Sequence, residues 1–578
     1  MGLLDPAPPP FEVAEWRRLP HLQRIKPLAQ DWALNGFGTP VVVYFLYVLK
    51  VLAYAGGGFL LISATSGWPQ WSDPIVFQKA VIWTMLWEIL GLGAGSLPLT
   101  LRFSPMIGGV LYWLRPGTTR LPPWPRKVPG TRGTVRTPLD VALYAGVLAA
   151  ALFNLLSGGI DGGAGAVARL DPIGVAVLLA LLAGLGLRDK VPFLAARAEI
   201  YGNLSIIFLF PLTNMIVAAQ LVFFCIWWGA ASSKLNRHFP FVVTVMISNT
   251  PWNRWRAAKR RLYTRHPDDL LPSRLGAGVA HLGTVMEFTL PLLLLATSGG
   301  VLGTIAVAGM VIFHLHILST FPLAVPLEWN VFMIFGLLFL FGHYGDVPFS
   351  TIDDPLLLVI LALTCVGLPV LGNFRPDLIS FLPSMRYYAG NWATSQWLFR
   401  EDSDAEGKLD RQVVKAAPTV REQLAKFYEP EMIDVLLYKG LAFRSMHSHG
   451  RALNALTARA VDDVEAYRVR EGELVAGVVL GYNFGDGHFH DHRLLEAVQE
   501  RCRFGPGEVR VVTLESQPAH LQRQRYRIYD AADGLLEEGW VNVADMVGRQ
   551  PWLGEEAFPV HPDRPDAPAP VMRGEMTA

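Results

Sequence analysis

Charge is what this sequence has least of: only 17% of its 578 residues are Asp, Glu, Lys or Arg, against 51% hydrophobic. That share is too low for an ordinary soluble enzyme. A basic excess is missing too. With a net charge of +1 there is no dominant basic face to neutralise phosphates, so nucleic acid is excluded as a partner. Cysteine is scarce: Cys225, Cys365 and Cys502 lie far apart, two of them in apolar runs. That excludes a disulfide framework and a cysteine-rich metal site, and Cys502 alone in the polar part fits a reducing compartment. Residues 1–40 hold Pro6, Pro8, Pro9, Pro10, Pro20 and Pro27 but no apolar h-region, so no secretory signal is expected. There is no internal repeat. The Gly485-Asp486-Gly487 run lacks the Gly-Lys-Ser/Thr of a phosphate-binding loop.

What is present is long apolar runs, all within 41–377, followed by a region of ordinary soluble composition. Since a bilayer core needs roughly 20 apolar residues per helix, the candidates are 41–65, 75–97, 139–157, 172–187, 203–228, 276–299, 301–323, 329–344 and 355–373. Segments 104–114 and 239–252 are too short to cross and read as re-entrant or interfacial. The fold class is therefore an α-helical polytopic membrane protein of about nine or ten spans with a C-terminal α+β soluble domain. The parts are an amphipathic N-terminal segment (1–40), the multi-pass domain (41–377), the α+β domain (378–552) and a disordered proline-rich tail (553–578). Within 1–40, Trp16, Leu19, Leu22, Ile25, Leu28 and Trp32 recur at helical spacing among Arg17, Arg18, Arg24 and Lys26. Two readings stand: a helix on the membrane surface, or a packed loop broken by Pro20 and Pro27.

The connections 98–138 and 254–274 are rich in arginine, whereas 66–74 carries no Lys or Arg. Positive charge stays on the cytoplasmic side, which places both rich connections, the N-terminus and the C-terminal domain inside the plasma membrane (in bacteria, the inner membrane). Nine simple crossings would separate the two, so 239–252 or a neighbour must return the chain. In the C-terminal domain, 387–400 is aromatic enough for the interface and 401–408 is a solvated turn. Helices are expected at 410–427, 430–438 and 450–460, and a further one at 493–502. A hairpin is expected around Arg470–Glu471–Gly472, and strands at 507–516 and 525–543 turning at Asp533–Gly534.

Ionisable side chains at bilayer depth mark sites. His281, Glu287, His314, His316, Glu328, Asn330, His343 and Asp346 punctuate three very apolar segments. Two histidines at i and i+2 point about 200° apart on a helix, so His314 and His316 cannot share a metal, and His281 and Glu287, six apart, do not share a face. Either these residues link packed helices, or some of them line a substrate cavity. Glu328 reads as a helix cap. Lys234, beside Gly229 and Ala230 at the end of an apolar run, either snorkels to the interface or sits in an apolar pocket, where a lysine becomes a base. Lys50, Lys79 and Glu88 pose the same choice. In the C-terminal domain, an extended chain would let His488, His490 and His492 converge on a metal; the competing reading is a loop feeding a helix capped by Asp486 or Asp491. Arg523, Arg525 and Arg527 form either a solvated strand face or a stripe for anionic headgroups.

WGAASSKLNRHF, then VMEFTLPLLLL (285–295) and FHLHILSTFP (313–322), resemble the horizontally transferred transmembrane domain of vitamin K-dependent γ-carboxylases and their bacterial relatives. The resemblance covers 230–320. It implies that Lys234 stands at the position of the carboxylase's basic lysine and His314 at that of the residue following Phe. The large extracytoplasmic β-rich domain of the animal enzymes has no counterpart, so carboxylation itself is not implied. As a whole the chain resembles a family of uncharacterised actinobacterial multi-pass proteins.

These readings lead to an intramembrane enzyme acting on a lipid-soluble substrate (isoprenoid, quinone or fatty chain), with Lys234, Glu287 and His314 as its catalytic residues. The alternatives are a lipid-binding or transport protein and a scaffold whose cytoplasmic domain recruits partners. Membrane lipid is the expected partner; no motif names a cofactor or a protein partner.

Overall fold

The computed structural model describes residues 2–93, 109–160, 168–297, 299–320, 327–482, 487–548, 550–552 and 557–563. Its first two thirds are helical: α1 (His21–Asn35), α2 (Val41–Thr65), α3 (Pro74–Ile89), α4 (Pro138–Leu156), α5 (Pro172–Arg188), α6 (Leu212–Ser233) and α7 (Phe239–Asn249). There follow α8 (Arg256–Arg261), the hairpin β1 (Tyr263–Arg265) and β2 (Asp269–Pro272), α9 (Arg274–Ala296), α10 (Gly300–Leu318), α11 (Leu327–Leu337) and α12 (Pro355–Phe374). The starts are written locally. Pro74, Pro138, Pro172 and Pro355 open their helices, where a missing N–H costs nothing. Thr137 and Asp140 make a capping box, and the Asp171 and Asp354 carboxylates accept first-turn N–H groups.

Six helices among the described residues are long and apolar enough to cross a membrane, not nine or ten: α2, α4, α6, α9, α10 and α12. The difference has physical causes. In the expected 75–97 span the helix α3 ends at Ile89, and nearly all the side chains of α3 are packed inside the protein; 94–97 lie outside the described residues. The 203–228 run is interrupted before Pro211, so α6 starts at Leu212. α5, α7 and α11 are shorter apolar helices, the last extended by a π-turn over Leu338–His343. Between α6 and α7 the helix breaks, and the Asn236 side chain accepts the N–H groups of His238 and Phe239 that start α7.

The C-terminal region carries a six-stranded antiparallel sheet in the order β4-β3-β5-β6-β7-β8. Its strands are β3 (Thr394–Arg400), β4 (Tyr467–Glu471), β5 (Val509–Leu514), β6 (Arg523–Asp530), β7 (Gly534–Asn542) and β8 (His561–Pro562). The Asp533–Gly534 turn forms as expected, with Gly534 at φ +84°. Four expectations fail here. The helix expected at 410–427 is two short helices, Ala405–Gln412 and Val420–Leu424. Residues 394–400 are a buried interior strand, not an interfacial segment. The second arm of the expected hairpin is a helix, α13 (Gly472–Leu480), capped by Glu471; almost every residue of it is buried, and in so short an apolar run strand and helix look alike. And the proline-rich tail is ordered at His561–Pro562, which adds an edge strand to β7.

The apolar stripe of the N-terminal segment lies on a helix and faces protein, as neither of the two expected readings had it. α1 runs through Pro27 and buries Ile25, Leu28, Ala29 and Trp32 against α7 and the helix Pro430–Met446. Both arginine-rich connections touch the C-terminal region. Thr134 meets Glu500 and Arg501, Trp113 donates to Leu480 O, and Trp552 donates to Asp268 O. Residues 381–393 are packed rather than a loose linker, and one apolar core continues from the spans into this region.

Candidate functional site

Lys234 caps the C-terminal end of α6 at the break before α7, and its side chain turns into the protein instead of reaching solvent. It is 7% exposed. Its Nζ lies 2.5 Å from Glu287 Oε2, on the middle of α9, and 5.6 Å from the centroid of the Phe239 ring. His314, on α10, is buried, with Nδ1 2.9 Å from Asn330 Oδ1 and Nε2 3.1 Å from Trp227 Nε1. An indole N–H can only donate, so Nε2 is the acceptor and Nδ1 carries the proton given to Asn330. His314 is held as one neutral tautomer with both nitrogens engaged.

Lys234, Glu287 and His314, from three different helices, line one cavity of about 370 Å³. Trp227, Phe239, Met286 and Phe313 supply much of its apolar wall. Val279, Leu282 and Ile312 also line it and are exposed on the outer faces of α9 and α10, so the cavity opens sideways between these helices. Small-molecule sites have this form, concave and apolar with a few placed polar groups.

Sequence reasoning missed Arg197, Glu199, Tyr387 and Tyr388. Arg197, Tyr387 and Tyr388 line the cavity. The Arg197 guanidinium lies 4.7 Å from the Trp329 ring and 5.4 Å from the Tyr387 ring, and its Nε donates to Glu199 Oε1 at 2.7 Å. Its backbone sits at φ +51°, a left-handed conformation that costs a non-glycine residue roughly 1–2 kcal/mol. The signal was present: two opposite charges, two residues apart, in the otherwise uncharged 191–226.

The other polar residues of the spans divide. Glu287, His314, Glu328 and Asn330 are buried, whereas His281, His316, His343 and Asp346 are exposed. His316 nevertheless lines the cavity mouth, beside Trp252. Glu328 sits in the first turn of α11 and pairs with Lys50 at 3.7 Å. Glu88 and Glu328 both place a carboxylate oxygen within 3.3 Å of where a Cβ on Gly93 would stand. Lys79 donates to Thr65 and to Ser157 O, tying α2 and α4 to α3.

The expected metal ligands His488, His490 and His492 are not brought together. His488 Nε2 meets Glu515 at 3.1 Å, His490 Nδ1 meets Ser395 Oγ at 2.6 Å, and His492 stacks on Tyr529. The chain is not extended here: Gly487–Phe489 is a 3-10 turn, and Asp491 caps the helix that His492 begins. Alternation therefore does not apply, and among the described residues no three His, Cys, Asp or Glu side chains group to hold a metal. A different cluster forms instead. His238 Nδ1 meets Ser448 Oγ at 2.7 Å, its Nε2 meets Gln517 Oε1 at 2.8 Å, and its ring stacks on His449 at 5.5 Å. Burial pushes the His238 pKa down to about 4 and that of His447 down to about 3. Arg525 and Arg527 pair with Glu538, and Arg523 lies over Trp540, a solvated strand face.

The model of one family, described as transmembrane protein of unknown function (DUF3556), matches residues 1–563, and the chain belongs to that family. No curated protein and no solved structure matches it, so the likeness of 230–320 to the carboxylase-related domain gains no support from that side.

Proposed function

Starting from a chain of this transmembrane family, we propose that the protein is an intramembrane enzyme that takes a lipid-soluble substrate, an isoprenoid, quinone or fatty chain, into the cavity between α6, α9 and α10. The observation that carries this reading is the convergence of Lys234, Glu287 and His314 on one apolar cavity with a sideways opening. A lipid tail enters between α9 and α10, and the head reaches the Lys234–Glu287 pair. There the ammonium and carboxylate form a proton donor and acceptor 2.5 Å apart, able to give or take a proton at the head. His314 orients the wall through Trp227 and Asn330. On this reading the side of the arginine-rich connections, both against the C-terminal region, is the cytoplasmic side of a bacterial plasma membrane, which the positive charge of those connections supports.

A second reading, lipid binding without chemistry, is favoured by the saturation of both His314 nitrogens, which leaves no free imidazole base. One experiment separates the two. Wild type and Lys234→Ala are purified and their bound lipids identified by mass spectrometry. Under the enzyme reading the variant carries a lipid of different mass, the unconverted substrate. Under the binding reading it carries the same lipid in smaller amount. No lipid on either protein would overturn the cavity as a lipid site.

A further inference from the structure

The segment from Trp252 to Arg274 lies at the end of α9 and α10 where the cavity has its His316 mouth. Trp252 Nε1 donates to Ser319 Oγ at 3.0 Å, just past the end of α10, and the hairpin β1–β2 leads directly into α9. This short stretch exposes Trp252 and Trp255 together with Arg254, Arg256, Arg260, Arg261, Arg265 and Arg274. Arg256 donates to Asn35, but among the described residues none of the six arginines is paired with a carboxylate. Elsewhere Arg17, Arg24, Arg411, Arg459, Arg468 and Arg525 each meet an acid, while exposed Arg18, Arg115, Arg126, Arg132, Arg237, Arg503 and Arg523 do not among the described residues. What marks this segment is six such arginines beside two exposed tryptophans in one short stretch. Only Asp268 is an exposed acid in the segment, at the turn of the hairpin.

Two exposed tryptophans beside uncompensated arginines, at the end of two apolar helices, match the headgroup layer on both counts. Indoles favour the boundary between water and hydrocarbon. Arginine forks match phosphate oxygens in geometry and charge. We infer that the Trp252–Arg274 face docks on the phosphodiester headgroups of anionic phospholipids, holding the cavity mouth at an anionic leaflet. This inference does not depend on the cavity being catalytic.

The test uses the full-length protein in nanodiscs containing phosphatidylcholine and phosphatidylglycerol, with retained lipids counted by native mass spectrometry. Wild type should retain phosphatidylglycerol in preference to phosphatidylcholine, and raised salt should weaken the preference. Removing an arginine from an anionic surface costs about a fivefold loss of binding. Arg254→Gln/Arg260→Gln/Arg261→Gln/Arg265→Gln should therefore reduce the preference at least tenfold, with the fold checked by unchanged thermal unfolding. A variant that unfolds is replaced by the single Arg260→Gln and Arg261→Gln variants, each expected to lose about fivefold. Equal retention of both lipids by wild type, or a preference unchanged in the variants, overturns the inference. So does exclusive capture of a soluble polyanion such as heparin by the same arginines.

Discussion

Breaking the Lys234–Glu287 pair is the sharpest perturbation the structure offers. The side chains are 8% and 6% exposed, so water is largely unavailable to either charge if its partner is removed. Removing one member of a buried ion pair costs about 3–5 kcal/mol, because the remaining charge is stranded in apolar surroundings. Replacing both by apolar residues of similar volume is often neutral, and stabilising by 1–4 kcal/mol in favourable cases. Lys234→Met and Glu287→Leu should therefore each lower the unfolding free energy by about 3–5 kcal/mol. The double variant should recover most of that loss. The assay is reversible unfolding in mixed micelles, followed by tryptophan fluorescence, with the four proteins forming a double-mutant cycle. Losses below about 1 kcal/mol per single variant, the size for an exposed pair, would refute the burial argument. So would simple addition of the two losses in the double variant. A double variant that folds but carries no lipid would show that the pair also serves binding.

Gly336→Ala, on α11, should destabilise by about 1–3 kcal/mol, since its Cβ would stand 2.3 Å from the Phe223 ring; a thermal shift comparison with wild type measures it. Arg444 holds both Glu471 and Glu473, at 2.7 and 3.0 Å, so Arg444→Met strands two buried carboxylates and should cost at least about 3 kcal/mol in the same assay. His238 and His447 have pKa values lowered from 6.5 to about 4 and about 3, so between those values and 6.5 the unfolded chain binds protons that the folded chain refuses. Stability should be full above pH 6.5 and fall as the pH drops, by about 2 kcal/mol per histidine at pH 5, with His238→Gln removing its share of the slope.

The sequence made the helices of the membrane part legible because apolar runs and proline-capped starts are local signals. Each of the nine apolar segments holds a helix, but run length alone does not tell a helix with exposed apolar sides, such as α2, from one encased by protein, such as α3. Lys234, Glu287 and His314 stood out as isolated polar residues in apolar surroundings, and the helical repeat separated His314 from His316 correctly. Arg197 and Glu199 carry the same kind of signal and were passed over. What the sequence could not carry was long-range: the partner of α1, the helical state of 472–480, and the splitting of the 488–492 histidines by a turn. Each depends on contacts with residues far away in the chain.

The seating of α1 also constrains how the polypeptide threads the bilayer. His21 and Arg24 reach Glu465 across more than 440 residues of intervening chain, and α2 begins at Val41, just beyond this contact. At the other end, α12 finishes at Phe374, and the chain enters the sheet at Thr394. Start and finish are thus fastened to the same body, and a thread that leaves and returns to one side must cross an even number of times. The six helices that are long and apolar enough to cross, among the described residues, are compatible with that parity. The same seating bears on assembly. The apolar stripe of α1 precedes every long apolar helix in the chain, yet one of its partners, the helix Pro430–Met446, follows all of them, so the stripe is fully covered only once the whole membrane part has been made.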